Sequence, residues 1–298
     1  MKAYLIGSGS AIPDPDRGNT SQAVVLGDEV LLFDCGERTT VNLIKSDINP
    51  MDVKYLFFTH LHNDHMCDYG NFVITTWKCG RRQSLKVFGP KGTEDMSYAT
   101  INLSHKVDLD HMKIYLEKYL PAHVTNRPEP TPKVEVTDVD EGEIVATDRF
   151  SVKCKYVDHY NKWGIPSLGY RLDSKEGSIA ISGDTSPCSS MVELAKDVDV
   201  LFHECAFLDE IIQQRNMKSH SGPSGVGKIA REAGAKKLVL MHVPPYTGYN
   251  KSLDMASMYL GKWRGEEIWS KIVREVAKFY DGPIVLGSDA LSVKVRES

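Results

Sequence analysis

No stretch of this 298-residue sequence approaches the roughly 20 consecutive apolar residues that a membrane-spanning helix needs. Partners in a membrane are therefore not expected. Cysteines are few and scattered: Cys35, Cys67, Cys79, Cys154, Cys188 and Cys205 form no Cys-x-x-Cys pair. That usage suits reduced thiols better than a disulfide framework. Positive charge is also short, with 36 Lys and Arg against 40 Asp and Glu for a net charge of −4. Such a balance advertises no field for a nucleic-acid backbone, and Arg81-Arg82 is only a small local candidate. The opening residues Met1–Gly7 lack the apolar run of a signal peptide and read directly as a strand. A cytoplasmic protein is the expectation. Low-complexity linkers and fixed-period repeats are missing too, so residues 1–298 read as a single domain.

What the chain does have is a succession of short apolar runs. Ala3–Ile6, Gln22–Leu26 and Val30–Asp34 read as strands, and Arg38–Lys45 as a helix. Val53–Thr59 is almost continuously apolar, as a strand buried on both faces would be. Met66–Trp77 predicts a helix, Leu85–Gly89 a strand, and Thr93–Leu120 a helical stretch carrying His105 and His111, with His123 beyond it. Four prolines make 121–132 an extended loop. Strands resume at Lys133–Val139, Phe150–Val157, Ser167–Leu172, Ser178–Ser182, Val198–His203 and Lys237–His242. Helices are expected over Ser189–Lys196, Pro223–Ala233 and Glu266–Tyr280, then strands at Pro283–Leu286 and Leu291–Val295. The order is strands then helices, twice, which suggests two similar halves.

Chemistry concentrates at the end of the most apolar run. His60-Leu61-His62-Asn63-Asp64-His65 puts three histidines and an aspartate within six residues. Imidazole and carboxylate are preferred donors for a borderline divalent cation. Solvated or helix-capping histidines are the bland reading of a polar loop, but so dense a cluster argues for a metal. His159, Asp184 and His242 each follow an apolar run in the same strand-then-ligand pattern, which is how open α/β sheets assemble sites.

With Phe33-Asp34-Cys35-Gly36, the histidine run, His159, Ser182-Gly183-Asp184-Thr185 and His242 in this order, the chain resembles the metallo-β-lactamase superfamily over nearly its whole length. The resemblance implies an α/β fold, a four-layer αββα sandwich with metals at the edge between two sheets. It implies that His60, His62 and His159 bind one ion, that Asp64, His65 and His242 bind a second, and that Asp184 bridges them. Zn2+ is the expected metal, with Mn2+ or Fe2+ compatible with the same donors. Flavodiiron-type members carry an acidic residue where this chain has His62, which argues for hydrolysis over redox chemistry.

Two such ions, about 3.5–4 Å apart, can hold a bridging hydroxide as nucleophile, and Asp64 counts among the catalytic groups. A leaving group needs a proton. Phe202-His203-Glu204-Cys205-Ala206 and Ser219-His220-Ser221 resemble the phosphodiesterase branch that includes tRNase Z and arylsulfatase-like enzymes. That likeness implies that Glu204 orients His220 as the acid; a strand end and a helix cap are the structural alternative. Classical tRNase Z enzymes carry a long arm between the third histidine and the bridging aspartate. His159 and Asp184 are only 25 positions apart, and the chain is net acidic. Pro13–Arg17, Ile74–Trp77 and Phe88–Gly92 look closer to the arylsulfatase-like relatives.

The sequence therefore favours a small-molecule phosphate, sulfate or related ester, with nucleic acid disfavoured. Precursor-tRNA cleavage is the alternative, then a thioester or lactone; from another class, a catalytically degenerate binding protein. A homodimer is implied, as is usual in this branch. Two motifs are decoys. Gly222–Lys228 nearly spells a phosphate loop but is followed by Ile229, which has no hydroxyl, and Gly7-Ser8-Gly9 lacks the third glycine of a dinucleotide turn. Segments 93–132 and 243–265, with Tyr246, Tyr249, Tyr259 and Trp263, could wall the pocket, though helix packing or a dimer contact explains those aromatics more simply.

Overall fold

Among the described residues, fourteen strands carry the apolar runs into two sheets. The computed structural model describes residues 1–120, 128–243 and 265–296. The first sheet uses β1 (Lys2–Gly7), β2 (Ser21–Leu26), β3 (Glu29–Phe33), β4 (Val53–Phe57), β5 (Leu85–Gly89), β6 (Val134–Asp138) and the last strand, β14 (Leu291–Lys294). The second uses β7 (Gly142–Ala146), β8 (Phe150–Tyr156), β9 (Leu168–Ser174), β10 (Gly177–Ile181), β11 (Val200–Glu204), β12 (Leu238–Met241) and β13 (Ile284–Leu286). Strand orders are β14-β1-β2-β3-β4-β5-β6 and β13-β12-β11-β10-β9-β8-β7.

β4 shows how sequence becomes layers. Strand side chains alternate between faces. Tyr55 and Phe57 therefore point into the core between the sheets with Phe33, Tyr170, Phe202 and Met241. Leu56 and Phe58 point the other way, against helix residues Leu43 and Phe72. Those helices are α1 (Thr39–Lys45) and α3 (Tyr69–Lys78), with the single-turn α2 (Asn63–Met66) between them. Each fully buried aromatic or aliphatic side chain here contributes about 1.5–3 kcal/mol. Phe33 and Phe57 stack at 4.9 Å, and Tyr170 donates to the Phe58 carbonyl at 2.7 Å, pinning one sheet on the other just before the histidine run.

On the far side of the second sheet lie α6 (Ser189–Leu194), α7 (Asp209–Arg215), α8 (Pro223–Glu232) and α9 (Gly265–Val276). Leu201, Leu238 and Leu240 of the sheet pack against Val226, Ile229, Ile268 and Ile272. Helices, sheet, sheet, helices: the four-layer αββα sandwich is observed.

Differences from the sequence reading have local causes. Thr93–Leu120 divides into α4 (Thr93–Tyr98), a wider turn at Ala99–Ser104 and α5 (Lys106–Lys118), because His105 leaves helical geometry at φ −103°. β7 and α7 were not foreseen; both are short and bring little continuous apolar signal. The final two strands separate, β13 pairing with β12 while β14 crosses to pair with β1. Part of the proline-rich loop, at 121–127, lies outside the described residues, as does His123. Gly222–Lys228 forms the start of α8, with Pro223 in its first turn, and is no phosphate loop.

Candidate metal centre

Parallel strands β3-β4-β5 and β10-β11-β12 end at the same edge, and their C-terminal ends deliver the polar groups. β4 leads to His60; the turn into α2 places His62, Asp64 and His65. β8 leads to His159, β10 to Asp184, β11 to Glu204, and β12 to His242. Two loops meet tightly here. A Cβ on Gly183, whose φ is +59°, would lie 2.8 Å from the Thr59 Cβ, so only glycine lets the Asp184 loop rest on the His60 loop.

The side chains form two groups of ligand atoms, each within 4.8 Å of one another: His60, His62, His159 and Asp184, then Asp64, His65, Asp184 and His242. All seven residues expected from the sequence are present, and Asp184 is common to both groups. His62 Nδ1 lies 3.0 Å from His60 Nε2 and 3.3 Å from His159 Nε2. His242 Nε2 lies 3.1 Å from an Asp64 oxygen and 3.3 Å from an Asp184 oxygen.

A divalent cation fits this donor set. His65 Nε2 and Asp184 Oδ1 face each other at 3.3 Å, buried and without a hydrogen-bond partner. Such atoms are costly to bury uncompensated, by about 1–3 kcal/mol each. Outer nitrogens are also fixed as metal-ligating histidines require. His65 Nδ1 donates to Asp34 at 2.8 Å, and His159 Nδ1 donates to the Ser219 carbonyl at 2.7 Å. Each contact leaves Nε2 facing the cluster.

Electrostatics separate the histidines into two kinds. Burial lowers the pKa of His60, His62 and His159, the last to about 4, so these imidazoles are neutral donors at neutral pH. Burial would lower His65 and His242 too, but the carboxylates around them outweigh it and raise both. Asp184 is held well below the carboxylate range: burial opposes this, but His242 and His65 prevail.

Beside both groups stands His220. Its ring is 5.0 Å from that of His159 and 5.8 Å from that of His242. Nδ1 donates to Glu204 Oε1 at 3.0 Å, which leaves Nε2 outside that contact. Burial would push this imidazole down, but Glu204, then Asp184 and Asp64, raise it to about 9. Glu204 is buried and held in turn by the Thr185 amide at 2.6 Å. Glu204, His220 and His242 also make a third ligand-competent trio. His203 turns away from this pair, its Nδ1 donating to the Glu204 carbonyl at 2.8 Å.

Sequence reasoning did not assign Asp34, Thr59 or Ser219, although Asp34 ends an apolar run as Asp184 does. It also left Tyr160 aside, whose ring lies 4.4 Å from His159. His105 pairs with Asp108 at 3.3 Å, His111 is exposed, and neither joins a ligand group. Ile74, Thr76 and Trp77 are buried in α3. A cleft of about 610 Å³ between α5 and 128–131 contains none of the cluster residues. Tyr246, Tyr249, Tyr259 and Trp263 fall outside the described residues.

Known proteins are similar to this chain over most or all of its length. The family described as anti-Pycsar protein Apyc1 matches residues 1–260. Ribonuclease Z of Mycobacterium avium (strain 104) is 30% identical over 305 residues, covering 99% of this chain and 98% of that protein. Among solved structures, human tRNase Z, short form, superposes with a TM-score of 0.71 at 22% identity and full coverage of both chains. The metallo-β-lactamase fold protein YhfI from Bacillus subtilis gives 0.70 at 16% identity, covering 98% of each chain.

Proposed function

The chain belongs to the family of the anti-Pycsar protein Apyc1, in the ribonuclease Z-like branch of the metallo-β-lactamase superfamily, and on that premise we propose that it hydrolyses phosphodiester bonds at a nucleotide. It is a metal-dependent hydrolase. His60, His62 and His159 would hold one divalent ion, and Asp64, His65 and His242 a second, with Asp184 between them. Zn2+ is the first choice for these donors. When bound, the pair supplies Lewis acidity toward water and phosphate oxygens.

The observation that carries the reading is the Glu204–His220 pair beside the ligand groups. As water adds to phosphorus, the bond to the leaving oxygen breaks and His220 gives that oxygen its proton. The proton lost by the attacking water restores His220. Glu204 keeps the imidazole oriented and favours its protonated form between turnovers.

Full-length similarity to ribonuclease Z supports RNA as the phosphodiester and reverses the order read from the sequence, which ranked a small ester first and precursor tRNA second. A small phosphodiester remains a second reading for one reason. Between His159 and Asp184 the chain has a turn at Asn161–Trp163, β9 and β10, with no arm inserted. The test is metal analysis followed by parallel assays on an RNA bearing a 3′ trailer and on bis(p-nitrophenyl) phosphate. Chelator-sensitive cleavage of the RNA supports the first reading; cleavage of the diester alone supports the second. A metal-loaded protein inert on both would sink the proposal.

A further inference from the structure

The turn that replaces an arm after His159 presents an indole to solvent beside the ligand groups. Trp163 is 68% exposed, unusual for the largest side chain. Its backbone is well held. Trp163 N donates to the Tyr160 carbonyl at 2.9 Å, Gly164 N to the Asn161 carbonyl at 3.0 Å, and Ser167 N to Asn161 Oδ1 at 2.8 Å. Gly164 closes the turn at φ +77°, a conformation glycine adopts freely.

Rings connect this indole to the centre. Tyr160 lies 5.5 Å from Trp163 on one side, and 5.7 Å from His62 and 4.4 Å from His159 on the other. The Tyr160 hydroxyl accepts from Ser219 Oγ at 3.4 Å, on the residue whose carbonyl also fixes His159. An aromatic strip thus leads outward from the phosphodiester-cleaving groups by two ring contacts.

We propose that Tyr160 and Trp163 form a subsite on which a nucleobase of the phosphodiester substrate stacks. This rests on the phosphodiesterase reading and adds what that reading leaves open: the group carried beside the scissile phosphate. Stacking on an aromatic face tolerates every base, because every base has a π-face. The subsite therefore selects a nucleotide over a simple alkyl phosphate without choosing among bases.

The test compares thymidine 5′-(p-nitrophenyl phosphate) with methyl p-nitrophenyl phosphate, which share a leaving group but carry a nucleoside and a methyl group respectively. Trp163→Ala should lower the ratio of their kcat/KM values about 10-fold, within the range of base–aromatic stacking. Trp163→Phe should restore most of that ratio. Thymidine 5′-monophosphate, titrated against methyl phosphate by competition or fluorescence, should show the same selective weakening in Trp163→Ala. An unchanged ratio in both measurements overturns the subsite, whatever happens to oligomeric state. If the wild type cleaves neither ester but shows the selective binding, the subsite stands and the phosphodiesterase reading falls. A parallel assay on trailer-bearing RNA distinguishes the sources: a loss there puts the base within an RNA chain, and a loss on the thymidine ester alone puts it on a free nucleotide.

Discussion

His220 is the residue on which the chemistry can be separated from the metal. Its Nδ1 donates to Glu204 at 3.0 Å, and the role proposed for it is protonic although it stands among ligand-competent neighbours. His220→Ala should lower kcat by about 10²–10⁴-fold, the range typical of a lost general acid. Metal content, measured by mass spectrometry, should stay at the wild-type level. Loss of metal together with activity would instead make His220 a ligand, as the trio with Glu204 and His242 allows. Glu204→Gln should weaken turnover less, because an amide oxygen can still accept from Nδ1 while the charge is gone. The candidate ligands that the fold brings together were legible in the sequence because they follow apolar runs, one after another. Asp34 carries the same signal, yet it contacts His65 at 2.8 Å from a distant turn, and only the fold reveals that pairing.

Elements bring those residues together through contacts that no sequence pattern announces. β14 returns to β1 with Lys2 opposite Lys294, and the turn before it carries Asp289 to the loop that follows β1. Asp289 accepts from Ser8 N and Oγ at 3.0 and 2.8 Å, from Gly18 N at 2.6 Å and from Asn42 Nδ2 at 2.8 Å. Buried Arg17 donates to Ser8 Oγ and to the Gly287 carbonyl, and lies over Trp269. The Ser8 carbonyl in turn holds Val243 N at 3.1 Å, directly after His242, whose φ of +52° needs such support. Asp289→Ala should therefore destabilise the chelated protein by about 3 kcal/mol in urea unfolding, through donors left without an acceptor. Asp289→Asn should cost less. Equal stability of all three proteins would show that solvent replaces the carboxylate without loss. Hydrophobic periodicity located most strands because it reports burial. It missed β7 at a sheet edge, and could not tell that β13 and β14 would part to different sheets.

Across the whole molecule, the two ligand groups join the two sheets. His60, His62, Asp64 and His65 come from the first sheet's edge; His159, Asp184 and His242 come from the second. Cations held between them are bound only when both sheets are in place, so metal affinity adds directly to folding stability. Free metal at about 1,000 times its Kd adds about 4 kcal/mol, and a domain of this size gains roughly 2–4 °C in Tm per kcal/mol. Removing metal with a chelator should therefore lower Tm by roughly 10 °C, and adding back Zn2+ should restore it. Asp184→Asn removes charge from the residue common to both groups, so it should begin near the chelated Tm and respond little to chelator. A wild-type Tm indifferent to chelator, in protein confirmed to carry metal beforehand, would mean that the sheets meet without the help of the centre between them.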